Sequence, residues 1–321
     1  MPGLVPHCAL MDALSAAASD QVRRFIFENR PVRGHWVRLE SAWRQLRAHA
    51  DYPRIVSDLL GQAVAAAVLL AATLKFRGTL TFQLQGNGAV RLLVAQCTHD
   101  FRLRAVARFD AAAVQATPRE TEGGAVFRRL VGSDGRITVT VEADERSMRY
   151  QGVVPLSGSS LAESLEAYFA SSEQLPTRVL LAADEERGAG ILVQKLPERE
   201  AGDEEEDVSA AWAGAERGIE RLSAAELLKS PAEVLLTRGF PGHDLRLFRG
   251  APVQFECRCS EGRVTGLLRA LGQEEVRDVL REQGAVTVTC EFCHRPYRFD
   301  AVDVEALFAE APSSGGSAAI H

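Results

Sequence analysis

The chain has 321 residues, 46% of them hydrophobic, and this length and composition predict a globular protein with two domains. Lysine and arginine number 37 against 43 aspartate and glutamate residues, which gives a formal net charge of -6. This balance argues against a nucleic-acid footprint spread over the whole chain.

The N-terminus lacks the basic start and apolar stretch of a secretory signal, which predicts a cytoplasmic protein. The longest apolar run, Leu59 to Leu74, is too short to span a bilayer and includes Gln62, so no membrane partner is expected. Thiols stay reduced in the cytoplasm. Paired cysteines in this chain therefore indicate metal binding or redox sensing rather than structural disulfides.

The first part of the chain predicts a domain that contains both strands and helices. Residues 21–50 have the mixed apolar and basic pattern of short strands, and residues 52–75 are apolar nearly all round, which predicts a buried helix. Further strands are expected at residues 79–84, 90–95, 137–141, 150–156 and 190–196, with a helix from the capping box at Ser160 to Phe169. Because strands outnumber helices and alternate with them irregularly, we expect an α+β fold with an N-terminal mixed sheet domain.

The composition changes at residues 198–207, which hold seven acidic residues and one arginine. Such a block repels itself and cannot pack alone, so it marks a boundary. Capping boxes at Ser223 and Ser230 then predict two short helices, the second with Pro231 at its first helical position. Because short helices in a charged segment need a partner surface, we expect a helical linker here.

Four of the six cysteines form two close pairs, Cys257 with Cys259 and Cys290 with Cys293. Thiolates at such spacing favour one tetrahedral Zn²⁺ per chain. Four thiolate ligands leave no open position for a substrate, so a catalytic zinc is not expected. Between the pairs, residues 273–282 predict a helix that ends at Gly284, followed by a strand at residues 285–289.

The remaining candidate residues have simpler interpretations. His294 follows Cys293 but is expected to be a bystander, Cys8 a terminal thiol and Cys97 a thiol packed in a sheet. The chain contains no nucleophile elbow, metalloprotease or phosphate-loop motif. We therefore expect no catalytic residues, no organic cofactor and no enzyme activity.

These residues together resemble the redox-regulated heat-shock chaperonins, bacterial holdases with a C-terminal zinc centre of the pattern C-x-C…C-x-x-C. The resemblance is carried by the two cysteine pairs, by residues 297–300 and 271–275, and upstream by residues 149–156 and 168–177. It covers roughly Phe25 to Phe308. The chain departs from the family pattern at the acidic block and at residues 238–242, where a more continuous apolar helix is expected.

The resemblance implies an ATP-independent chaperone that binds unfolded client proteins after oxidation and dimerises in its oxidised form. Thiolates of a zinc site are open to oxidation, and disulfide formation would remove the ligands and unfold the zinc module. Four cysteines allow three pairings. Chain proximity favours Cys257–Cys259 and Cys290–Cys293, and because a C-x-C bridge closes a small strained ring, Cys290–Cys293 is expected first.

Two alternatives remain at this point. A zinc-ribbon nucleic-acid binder would use arginines near the cysteines to contact phosphates, although acidic residues are interleaved with them. A thiol-disulfide oxidoreductase would need a reactive C-x-x-C at the start of a helix, whereas Cys290 follows a predicted strand. The favoured organisation is a client-binding domain (residues 1–196), a redox-responsive linker (197–250), a zinc-binding redox-switch domain (251–310) and a disordered tail (311–321).

Overall fold

The computed structural model describes residues 20–117, 123–143, 149–197 and 205–309. The chain divides into two compact units, with the division between Glu256 and Cys257. The domain limits expected at residues 196 and 250 stay a prediction. Cys8, most of the acidic block and the C-terminal tail lie outside the described residues.

The first unit combines strands and helices, as expected of the α+β class. Its strands are β1 (Gln21–Phe27), β2 (Val32–Leu39), β3 (Gly78–Gln85), β4 (Val90–Thr98), β5 (Arg102–Phe109), β6 (Arg136–Ala143), β7 (Arg149–Pro155), β8 (Thr177–Ala183), β9 (Gly188–Lys195), β10 (Leu245–Leu247), β11 (Ala251–Pro252) and β12 (Gln254–Phe255). Its helices are α1 (Ser41–Arg47), α2 (Arg54–Thr73), α3 (Ala111–Gln115), α4 (Gly123–Val131), α5 (Leu161–Tyr168), α6 (Glu205–Glu220), α7 (Ala224–Lys229) and α8 (Ala232–Gly239). A π-helical turn, Phe169–Glu173, extends α5.

The strands of the described part of this unit form two six-stranded sheets. Sheet 1 has the order β10-β1-β2-β9-β8, with β11 also paired to β1. Sheet 2 has the order β12-β5-β4-β3-β6-β7. Strands β3 and β4 form an antiparallel hairpin with Phe82 opposite Ala95, and β12 joins β5 in parallel.

Helix α2 lies between the two sheets and contacts strands of both. Its sequence is apolar on every side, and residues such as Leu60, Val64 and Leu69 are fully or almost fully buried. The helix is 20 residues long and therefore long enough to cross a membrane by length and composition. The expectation that the apolar run is too short is thus wrong for the helix, whereas the predicted burial is confirmed because most of the helix is enclosed by the fold.

Two local predictions need correction. Residues 41–47 form the helix α1 rather than a strand, and Trp43 and Leu46 on it are buried. The second linker helix begins at Ala232 without a side-chain cap, because Ser230 ends the preceding helix and Pro231 occupies the N-cap position. The Ser160 and Ser223 hydroxyls accept the expected hydrogen bonds from the N-H groups of Glu163 and Glu226. The return bond of a full capping box is present at Ser223, whereas the Glu163 carboxylate accepts from the N-H of Ser159 instead.

The second unit is small and is built around one hairpin. It contains the strands β13 (Val286–Thr289) and β14 (Pro296–Phe299) and the helices α9 (Glu261–Leu271), α10 (Gln273–Gln283) and α11 (Ala301–Ala309). As predicted, α10 ends at Gly284, which has a left-handed backbone with φ 73°. The core of the unit is small. Its buried side chains are Val264, Leu268, Val276, Val286, Tyr297, Phe299, Val304 and Leu307.

Candidate metal centre and covered sheet face

The four paired cysteines come together in the second unit. Cys257 and Cys259 lie in the segment just before α9, whose N-cap is Ser260. Cys290 follows the last residue of β13, and Cys293 lies in the turn before β14. Two backbone hydrogen bonds close this turn: His294 N-H donates to the Cys290 carbonyl at 2.8 Å, and Cys290 N-H donates to the Arg295 carbonyl at 3.0 Å.

The four sulfur atoms lie within 4.8 Å of one another. The Cys257 and Cys290 sulfurs are 3.6 Å apart, and those of Cys259 and Cys293 are 3.4 Å apart. A tetrahedral zinc with bonds of about 2.3 Å requires sulfur separations of about 3.8 Å, so the cluster fits a metal ion of this kind. The side chain of His294 is exposed. The cluster of possible metal ligands consists of the four cysteines and does not include His294.

Hydrogen bonding differs among the thiols. Burial alone would raise the pKa of Cys259, but hydrogen bonds from Tyr297 and from the neighbouring thiols lower it to about 7. Burial, followed by hydrogen bonding with the other three thiols, raises the pKa of Cys293 to about 12. In the absence of a metal, Cys259 is therefore the more readily deprotonated of these two.

Cys97 takes no part in this cluster. It lies on β4 in the core of the first unit and is a free, fully buried thiol. Burial raises its pKa well above the ordinary range. A thiol held in its neutral form in an apolar core is chemically inert, which agrees with its interpretation as a packed sheet residue.

A second candidate element is the face of sheet 1 turned away from α2, which we call the covered face. It is defined by the buried side chains of Phe25, Phe27, Val32, Trp36, Ala182, Ala189, Ile191 and Val193. Helices α6, α7 and α8, with the residues that directly follow α6 and α8, cover it with Ala215, Ile219, Leu222, Leu227, Leu228, Ala232, Leu235, Leu236 and Phe240. The helices predicted as a linker thus bury an apolar sheet surface.

Ion pairs also join these helices to the sheet. Arg178 on β8 contacts Glu216 on α6 at 3.0 Å. Arg23 on β1 pairs with Glu233 on α8. Both glutamates belong to the covering helices, so polar contacts at the edge supplement the apolar packing at the centre.

The departure at residues 238–242 has a structural role that sequence analysis missed. Phe240 follows α8 and is buried against the covered face, with its ring centroid 5.3 Å from that of Phe27 and 6.0 Å from that of Phe25. It also packs on Gly218 of α6. An isolated aromatic residue among glycines gave no periodic signal from which this contact could be predicted.

The chain is similar to known proteins over most of its length. A family model described as Hsp33 protein matches residues 20–300. A 33 kDa chaperonin of Nitrosococcus oceani is 42% identical over 291 residues, which cover 91% of this chain and 95% of the relative. A 33 kDa chaperonin of Pseudomonas paraeruginosa is 43% identical over 304 residues, which cover 94% and 99% of the two chains.

A solved structure has the same fold. The crystal structure of the 33 kDa chaperonin (heat shock protein 33 homolog) from Thermotoga maritima matches with a TM-score of 0.77. The match covers 91% of this chain and 98% of that chain at 21% sequence identity.

Proposed function

The chain belongs to the Hsp33 protein family, and from this premise we propose that it is a redox-regulated, ATP-independent chaperone. In this proposal it is a cytoplasmic holdase rather than an enzyme, and its partners are unfolded client proteins. The names of its relatives support a chaperone function. The observation that carries the redox part of the proposal is the cluster of four sulfur atoms in the small second unit.

In the reduced protein, Cys257, Cys259, Cys290 and Cys293 would hold one Zn²⁺. Bound there, zinc supplies the cross-link that keeps two distant chain segments together and the thiols deprotonated. The apolar core of this unit is small. A unit with so small a core depends on such a cross-link for its stability.

Oxidation would turn these thiolates into disulfides, Cys257–Cys259 and Cys290–Cys293. Two thiolates, one hydrogen peroxide and two protons give one disulfide and two water molecules. The sulfur atoms of the crossed pairs are also close, at 3.4 Å for Cys259 and Cys293 and 3.6 Å for Cys257 and Cys290. The proposed pairing is therefore supported by proximity along the chain and not by sulfur distance. Each disulfide removes two ligands, and the second unit unfolds as its cross-link is lost.

Client binding would then use the covered face. Helices α6 to α8 hide Phe25, Phe27 and Trp36 in the described structure, and their release would present an apolar surface. Short helices that depend on tertiary contacts are released by mild heat. We therefore propose that oxidation and warming act together, and, by family resemblance, that the oxidised form is a homodimer.

The test is suppression of aggregation of a chemically unfolded protein, measured before and after peroxide treatment at about 25 °C and at about 43 °C. Zinc release is followed in parallel with a chromogenic chelator. We expect activity without ATP in the oxidised, warmed protein and little in the reduced protein. A requirement for ATP, or equal activity in both redox states at every temperature, would refute the proposal.

A further inference from the structure

Tyr297 connects the sulfur cluster to the core of the second unit. Its ring is buried, with 7% of the residue exposed, and packs among the apolar residues of the core. Its hydroxyl donates a hydrogen bond to the Cys259 sulfur at 3.2 Å. Tyr297 and Phe299 both lie on strand β14, and both are buried.

The other thiols have different hydrogen-bond donors. The backbone N-H of Cys259 interacts with Cys257, and the backbone N-H of Arg295 interacts with Cys293. Such backbone N-H donors are retained when a side chain is replaced by any residue other than proline. The donor to Cys259 is a side chain, so it can be removed without changing the backbone around the cluster.

Cys259 also borders a groove on the surface of the second unit. The groove has a volume of about 420 Å³, and its lining includes Arg295, Arg298 and Tyr297 itself. Because Cys259 is one of the residues that line the groove, a small electrophile that enters it comes close to this residue. Exposure alone would therefore favour Cys259 as an early site of reaction.

We propose that Tyr297 is a positioning residue whose hydroxyl shields the Cys259 thiolate and delays its reaction. This inference rests on the proposed redox switch. A hydrogen bond to a thiolate engages the lone pairs with which sulfur attacks, and it weakens the nucleophile even when no proton is transferred. Tyr297 would thus keep Cys257–Cys259 the slower pair and Cys290–Cys293 the faster one.

The reaction affected is the first step of oxidation by hydrogen peroxide. The thiolate sulfur attacks one oxygen, the O–O bond breaks, and a sulfenic acid and a hydroxide ion form, the latter taking a proton to become water. A second thiolate then displaces the sulfenic hydroxyl to give the disulfide and a second water. Only the first step depends on the nucleophilicity of the shielded sulfur.

The experiment compares the wild type with Tyr297→Phe, which keeps the ring and removes the hydroxyl. Reduced, zinc-loaded protein is pulse-labelled with iodoacetamide, which reports nucleophilicity whether or not the redox switch operates. Trypsin cleaves after Arg258, so Cys257 and Cys259 are quantified on separate peptides. We expect labelling of Cys259 to become about three- to tenfold faster, with the other three cysteines of the cluster within about twofold of wild type.

A matched control is Phe299→Leu, which loosens the same core from the same strand but removes no hydrogen-bond donor to sulfur. If it accelerated Cys259 as much as Tyr297→Phe does, or if Tyr297→Phe accelerated all four cysteines equally or none, the shielding role would be overturned. A peroxide arm separates this result from the proposed function. Wild-type protein that keeps its zinc in peroxide would contradict the redox switch, whereas the labelling rates still decide the role of Tyr297.

Discussion

The ring of Phe240 rests directly on Gly218, where an added Cβ would lie 2.2 Å from a ring carbon. This contact lets α6 approach the chain that follows α8, and both lie on the covered face. Phe240 is almost fully buried there. The fit therefore requires glycine at position 218, and it offers a way to release the covering helices without oxidation.

We predict that Gly218→Val raises holdase activity in the reduced protein. The new side chain forces Phe240 from its site, which should destabilise the docked helices by about 1–3 kcal/mol. Undocking is measured by tryptophan fluorescence on warming, since Trp36 lies on the covered face and Trp212 on α6 packs against it.

The control for this prediction is Gly266→Val on α9, where an added Cβ meets nothing within 4 Å. Gly214→Val is an intermediate case, because its Cβ would meet the movable end of His243 at 2.6 Å. An unchanged undocking temperature in Gly218→Val would show that Phe240 does not hold the helices.

We predict that Glu216→Gln and Glu233→Gln each lower the temperature of undocking by a smaller amount. Their partners Arg178 and Arg23 remain on the sheet, and partly exposed ion pairs contribute less than about 1 kcal/mol each. The same shift should follow from added salt in the wild type and should be absent in the double variant. Glu305→Gln, which breaks the Arg277 pair of the second unit, is the matched control.

We predict that the reduced protein contains one zinc per chain and that Cys290→Ser lowers this content well below one, because three thiolates hold the ion less tightly than four. Cys97→Ala should keep its zinc, since Cys97 is buried in the core of the first unit and is not one of the clustered thiols. Elemental analysis after dialysis measures both. Zinc retained in Cys290→Ser and lost in Cys97→Ala would mean that the ligands are misassigned.

We predict that His35 makes the first unit less stable in acid. Its burial, with the charges of Arg33 and Arg24 nearby, lowers its pKa to about 3, below the ordinary value of 6.5. A group with a lowered pKa binds protons more readily when unfolded, so stability is full above pH 6.5 and falls towards pH 3 by at most about 1.4 kcal/mol per pH unit.

Urea unfolding followed by tryptophan fluorescence measures this effect, because Trp36, Trp43 and Trp212 all lie in the first unit. His35→Leu should flatten the decline in the free energy of unfolding between about pH 6.5 and 4.5. His294→Gln is the control, because it lies in the second unit, which holds none of these tryptophans. Burial raises the pKa of Asp58 to about 6. The stability that protonated Asp58 contributes is present at low pH and is lost as the pH rises through that value, so Asp58 changes stability in the direction opposite to His35. Identical slopes in wild type and His35→Leu would rule out His35 as the source.

The elements that could be predicted from the sequence are those with local signals. Residues 52–75 are apolar for longer than any strand, so α2 was placed within two residues at each end. Ser160 and Ser223 mark helix starts because a capping hydroxyl bonds to a backbone N-H three residues away. The clustering of the four cysteines was also predictable, because their spacing can be read directly from the sequence.

The elements that escaped prediction depend on tertiary contacts. Strand β8 ends in two alanines and β5 interleaves alanine with arginine, so neither has a strong strand propensity of its own, and both are fixed by their neighbours in the sheets. Strands β10 to β12 are too short to show any period. The hydrogen bond from Tyr297 to Cys259 joins residues 38 positions apart, and only the folded chain reveals it.

The covering helices are held at both ends of their segment. Strand β9 lies inside sheet 1 before them, and β10 pairs with β1 after them. Once undocked they would form a closed loop, whose effective concentration at the covered face is on the order of millimolar. A bound client would compete with this tethered segment at all times. Restoring the affinity of the helices for the sheet would therefore suffice to displace the client, without an energy source and at a rate set by client dissociation.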